Sequence, residues 1–111
     1  MSINGNELLQ VFEALANPHR LRIVAALREQ RKYVSELARE VGMSRPLLYL
    51  HLQRLEAAGL VTGNLELSDS GKAMKFYELA DFEFHVTSET VAEAAKTLQE
   101  PPSSKTNEEE E

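Results

Sequence analysis

The clearest pattern of apolar and polar positions runs from Ser44 to Gly59. Leu48, Leu52 and Leu55 recur at spacings of four and three, which marks one buried face of a helix. Ser44 is a side-chain acceptor suited to an N-cap, and Pro46 falls in the first turn, where a missing N–H costs nothing. Gly59 sits where a helix ends through a left-handed residue. The spacing therefore predicts a helix over 44–58. Its other face carries Arg45, Pro46, Tyr49, Leu50, Gln53 and Arg54. Charge, ring, amide and leucine together are unusual for a face that meets only water.

The preceding stretches repeat the helical period. Asn4 followed by Glu7 resembles a capping box. Leu8, Leu9, Val11, Phe12, Leu15 and Ala16 follow, too many for one-sided burial in a small domain. Either a partner subunit covers the excess or the helix wraps closely on the core. Asn17-Pro18 predicts a second start, with Leu21, Ile23, Val24 and Leu27 inward and Arg20, Arg22, Arg28, Arg31 and Lys32 on the polar side. A short helix follows, with Ser35 as cap, Leu37 and Val41 inward, and Gly42 as stop. Only Met43 separates Gly42 from Ser44. Two helices joined by such a short, Gly-containing turn have helix-turn-helix spacing.

After Gly59 the period becomes two. Leu60–Leu67 and Ala73–Leu79 alternate around the polar turn Ser68–Lys72, which predicts a hairpin over 60–79. Placed after the 44–58 helix, it reads as a wing offering Lys72 and Lys75, partly offset by Asp69. A tighter turn at Gly63-Asn64 is the less favoured alternative, because it leaves a short first strand. Asp81–Val86 is a third short strand or an extended linker. Thr87 or Ser88 caps a last helix through Val91, Ala94, Ala95 and Leu98, ended by Pro101-Pro102. Its small residues permit close approach, so Leu8, Leu9, Phe12, Val91, Ala95 and Leu98 form a candidate dimer face. The domain is expected over 1–99. Residues 100–111 lack apolar content and are expected to be a disordered acidic tail.

Composition adjusts this picture. A chain of 111 residues is one small domain, and with 6% aromatic residues and no Trp its core is aliphatic. The absence of Cys excludes disulfides, thiol catalysis and thiolate metal sites, and fits a reducing compartment. No run is long enough for a membrane span and no leader pattern is present, so the expectation is a cytoplasmic protein with no membrane partner. The net charge of −6 argues against a polyanion partner only until it is mapped. The tail over 100–111 holds five acids and one Lys, whereas residues 1–60 hold eight bases and six acids. The local field is what a polyanion meets.

Arg45, in the first turn, suits guanine O6 and N7 or a phosphate. Tyr49 and Gln53 follow one turn apart on the same face. Arg54 suits a phosphate, and Ser44 combines a cap with the same neighbourhood. His51 falls between the two faces and reads as a half-buried structural histidine. His85 with Asp81 and Glu89 is too scattered for a metal site. No phosphate-cradling loop or nucleophile set is present, so no catalytic residue, metal or cofactor is expected.

Leu15–Val24 (LANPHRLRIV), Ser44-Arg45-Pro46, His51-Leu52, Leu55–Val61 and Phe76–Leu79 together resemble the ArsR-like winged helix-turn-helix regulators, over roughly residues 8–80. The resemblance implies a mainly α fold with a small antiparallel β-hairpin: about five helices and a two-stranded wing. It implies a homodimer built on the first and last helices, and binding of double-stranded operator DNA, an inverted repeat, through helix 44–58. It further implies a repressor released by a signal, with an unnamed small-molecule or protein inducer. The chain departs from metal-sensing members. The helix over 35–41 has no Cys, and no second His follows His85. Tyr49 stands where many members have Ser, with apolar Leu50 beside it. The alternative function is a winged-helix protein–protein interaction module.

Overall fold

The structure, a computed structural model, describes residues 3–99. α1 (Gly5–Leu15) opens on a reciprocal pair. The Glu7 N–H donates to Asn4 Oδ1 at 2.8 Å, and the Asn4 N–H donates to Glu7 Oε1 at 3.1 Å. Such bonds satisfy amides that a helix start leaves open. α2 (Pro18–Glu29) is capped by Asn17, whose side chain accepts from the His19 and Arg20 N–H groups. The predicted stripe is rotated. Ile23, Ala26 and Leu27 are buried, and Leu21 is 54% exposed.

The next element leaves no mark in the hydrophobic pattern. Lys32 and Tyr33 form a two-residue strand, β1 (Lys32–Tyr33), in place of the end of a helix. β1 pulls Lys32 out of solvent. Its Nζ donates to the Ala26 carbonyl at 3.1 Å and lies 3.5 Å from both Glu29 and Glu40. A buried ammonium is tolerable because a helix-end carbonyl and two carboxylates surround it. α3 (Val34–Val41) therefore starts before Ser35, with Tyr33 as cap residue and Glu36 accepting from its N–H at 3.1 Å. Gly42 at φ 70° turns the chain sharply, a conformation that suits a residue without Cβ. α4 (Arg45–Ala57) follows directly.

β2 (Val61–Leu67) and β3 (Ala73–Leu79) pair antiparallel from Val61↔Leu79 to Leu67↔Ala73. Gly63-Asn64 lies inside β2. Gly63 is needed there, since a Cβ would stand 2.6 Å from the Tyr77 ring. The sheet order is β1-β3-β2, so the third strand is Lys32–Tyr33, paired with Tyr77 and Phe76. Residues 81–86 make no strand and connect to α5 (Ser88–Ala95). Thr87 caps α5, accepting from the Thr90 N–H at 3.0 Å. This helix stops at Ala95, short of the expected end at Pro101. The Thr97 hydroxyl donates to the Ala94 carbonyl at 2.9 Å and accepts from the Gly5 N–H at 2.7 Å. Leu98 thus lies beyond the helix. Pro101-Pro102 and the expected tail lie outside the described residues.

The described chain divides into two compact units, residues 3–9 with 84–99, and Gln10–Glu83, and the division falls within α1. The larger unit has an aliphatic centre in which Ile23, Leu37, Leu48, Leu52, Leu55, Leu60 and Val61 are fully buried. Each such side chain contributes about 1.5–3 kcal/mol by leaving water. In the smaller unit Gly5 lies against Leu98, whose Cγ would be 2.8 Å from a Cβ at that position.

Candidate nucleic-acid interface

α4 is held from one side only. Leu48, His51, Leu52 and Leu55 are buried, and the helix packs against α2, α3 and β2. Arg45, Pro46, Tyr49, Leu50, Gln53 and Arg54 are all exposed, as the sequence predicts. Leu47 joins them at 41% exposure, a position that the leucine spacing does not mark as outward. The Ser44 hydroxyl accepts from the Leu47 N–H at 3.4 Å, a long cap bond. The helix N-terminus, with its positive end of the peptide dipoles, emerges beside Ser44 and Arg45.

The hairpin adds two lysines in different settings. Lys72 is exposed in the turn. Lys75 is half-buried, with its Nζ 5.5 Å from the centre of the Tyr77 ring. Burial raises the Tyr77 pKa, Lys75 opposes that rise, and Glu56 and Tyr49 of α4 add to it. Tyr49 and Lys75 thus both act on the Tyr77 hydroxyl, which brings the outward face of α4 and the hairpin into one neighbourhood.

Three residues fix the hairpin to the body. Arg31 grips Glu66 with two bonds of 3.3 and 3.2 Å, and the Tyr33 hydroxyl donates to Glu66 Oε1 at 2.8 Å. The Arg31 guanidinium also lies 4.1 Å above the Phe76 ring. The hydrogen bond from Tyr33 lowers the Glu66 pKa, and the same bond raises that of Tyr33. Sequence spacing gave no sign of this cluster, because Glu66 stands on an exposed-looking strand position 35 residues from Arg31.

His51 is more buried than its position between two faces predicts, at 9% exposure. Arg20 Nη1 donates to its Nδ1 at 3.0 Å, and the His19 ring lies 5.5 Å away. Burial first, then the neighbouring Arg20, His19 and Arg54 side chains, lower its pKa. Arg20 read as a solvated base. Nothing in the spacing links it to a histidine 31 residues on.

Of the candidate dimer residues, Leu8 is 8% exposed within the protomer. Leu9, Phe12, Val91 and Leu98 are 49%, 37%, 40% and 48% exposed, and Ala95 is also exposed. A groove of about 760 Å³ lies between α2 and the end of β3. Its charged lining is mixed, Arg28 and Arg31 against Glu78 and Asp81, so it favours neither sign of ligand. Among the described residues no three potential metal-ligating side chains gather, and no helix is long and apolar enough to cross a membrane.

Comparison with known proteins matches this framework. Residues 17–62, from the cap of α2 into β2, match the model of the bacterial regulatory proteins of the arsR family. An uncharacterized HTH-type transcriptional regulator, MJ0229 of Methanocaldococcus jannaschii, is 39% identical over 85 residues, which span 77% of this chain and 88% of that one. The HTH-type transcriptional repressor SmtB of Mycobacterium tuberculosis is 39% identical over 88 residues, 78% of this chain and 62% of SmtB. The fold is shared with a homodimeric winged helix-turn-helix DNA-binding domain from Mycobacterium bovis, a possible ArsR-family regulator. That likeness has a TM-score of 0.57 at 24% identity and covers 82% of this chain and 74% of the other. The helix-turn-helix, the hairpin after it and the extended identity to MJ0229 lead to one conclusion: the chain belongs to the arsR family of bacterial regulatory proteins.

Proposed function

We propose that this transcriptional regulator is a sequence-specific DNA-binding repressor that acts as a homodimer. α4 enters the major groove, and the hairpin lies against the backbone or minor groove. One observation carries the reading. α4 is anchored by four buried side chains on one face, while Arg45, Tyr49, Gln53 and Arg54 stand free on the other. Arg45 reads guanine, Tyr49 and Gln53 reach neighbouring base edges, and Arg54, Lys72 and Lys75 meet phosphate. Pro46 and Leu50 add apolar contact, Leu50 to a thymine methyl, and Ser44 brings the helix N-terminus to the backbone. The dimer rests on Leu8, Leu9, Phe12, Val91, Ala95 and Leu98, and the homodimeric state of the M. bovis fold neighbour supports it. An inducer releases the DNA.

Selection of bound fragments from a random DNA pool, followed by footprinting, tests this. The expected product is an inverted repeat with half-sites about one helical turn apart, bound less tightly as salt rises. Recovery of no enriched sequence at low salt would sink the proposal.

A second reading has its own support. Leu50, Leu65 and Leu67 are 60%, 71% and 73% exposed, which favours a protein-contact surface on a winged-helix module. Leu50→Ala separates the two: a protein-contact module loses its partner, whereas a DNA reader keeps its salt-dependent binding and changes only its preference at one base pair.

A further inference from the structure

Arg20 makes three bonds to two other helices. Its Nε donates to the Ala14 carbonyl at 2.6 Å, its Nη2 to the Glu13 carbonyl at 3.3 Å, and its Nη1 to His51 Nδ1 at 3.0 Å. Glu13 and Ala14 lie in the last turn of α1, where carbonyls have no partner within the helix. His51 lies on the buried side of α4. One guanidinium therefore ties the end of α1 to the helix that carries Arg45, Tyr49 and Gln53.

The chemistry of the third bond depends on a proton. A guanidinium has donors and no acceptor, so Nδ1 must present its lone pair and the imidazole carries its proton on Nε2. His51 Nε2 is buried with no hydrogen-bond partner among the described residues. The charged and titratable groups that act on His51 are Arg20 and His19 from α2 and Arg54 from α4 itself. α3 and β2 also pack against α4. Protonation at Nδ1 sets donor against donor at 3.0 Å and adds a cation beside the guanidinium groups of Arg20 and Arg54.

We propose that Arg20 and His51 are a positioning pair, a proton-sensitive link that registers α4 against the end of α1 and lowers DNA affinity when it opens on acidification. This rests on the reading of α4 as the DNA-contacting helix. The predicted sign opposes simple electrostatics. An added imidazolium by itself strengthens binding to a polyanion, so a fall in affinity on acidification is specific to a lost register.

Two measurements on the full chain test the pair. The first is NMR without DNA between about pH 5 and 8, the range over which imidazoles titrate. The expected result is a neutral His51 protonated at Nε2 near neutral pH, with the Glu13–Asn17 and Arg20 amides moving at the His51 midpoint. A His51 protonated at Nδ1 in its neutral form, or one that titrates without moving those amides, overturns the link. The second is affinity for a selected DNA site at the two ends of that range, in wild type and in His51→Asn. Asn keeps an acceptor near the Nδ1 position and does not titrate. Wild type should lose roughly tenfold on acidification, about 1.4 kcal/mol, and the variant should show a ratio near one. Equal ratios, or a wild type that binds tighter in acid, overturn the proposal. If His51→Asn does not fold, the wild-type spectra decide. A chain that binds no DNA at any pH overturns the reading of α4 and the effect on affinity, while the spectra still decide the link itself.

Discussion

At the scale of single residues, exposed and buried faces of α4 predict opposite kinds of defect. In the proposed complex Arg45 pairs with a guanine, so Arg45→Ala should lower discrimination at one base pair by about 1–3 kcal/mol. Competition between the selected site and its single-base variants measures that. Lys72 meets phosphate in the proposed complex, so Lys72→Ala should weaken all sites alike and lower the salt slope by about one. His51 belongs to the folded state instead. Its pKa lies below the ordinary 6.5, so the unfolded chain binds the proton more readily. Stability should be fully present above about pH 6.5 and decline as pH falls below it. Denaturant unfolding across that range checks the sign, and His51→Asn should flatten this part of the profile.

At the scale of elements, local chemistry was legible and distant chemistry was not. The Asn4–Glu7 pair, the caps at Asn17 and Ser44 and the stop at Gly42 are decided within a few residues and appear as read. Of Thr87 and Ser88 it is Thr87 that caps α5, while the expected cap at Ser35 gives way to Tyr33. The hairpin over 60–79 is equally local. The strand at Lys32–Tyr33 exists only because β3 offers it a partner 45 residues later, at Lys32↔Tyr77. Lys32 burial, the Arg31–Glu66–Tyr33 cluster and the Arg20–His51 bond share that dependence. α5 ended early for the same reason, since Thr97 bonds to Gly5, 92 residues away in sequence. The outward-facing residues of α4 were legible because the helical period alone divides the helix into two faces. Two substitutions probe the elements. Gly63→Ala pushes a Cβ into the buried Tyr77 ring and should cost about 1–3 kcal/mol in thermal unfolding. Leu52→Ala leaves a cavity under α4 and should cost about 2–5 kcal/mol, with DNA binding lost along with the fold.

At the scale of the whole molecule, assembly and charge set the behaviour. Leu9, Val91 and Leu98 leave apolar surface in water on a single chain, so for the proposed homodimer Leu9→Arg combined with Leu98→Arg should shift sedimentation from dimer to monomer. Binding to a two-half-site operator should fall far more than binding to one half-site. The acids of 100–111 make the net charge a poor guide to a DNA partner, since residues 1–60 carry a small excess of bases. β1 has a further consequence at this scale. It sits in the connection between α2 and α3, yet it is stitched to the hairpin through Phe76 and Tyr77. The hairpin is therefore not an interchangeable appendage. A chimaera that takes residues 34–57 from a relative leaves the seam whole. A graft that begins at Asn17 imports a foreign Lys32–Tyr33 against the resident Phe76–Tyr77, and should succeed only when donor and host match at those four positions.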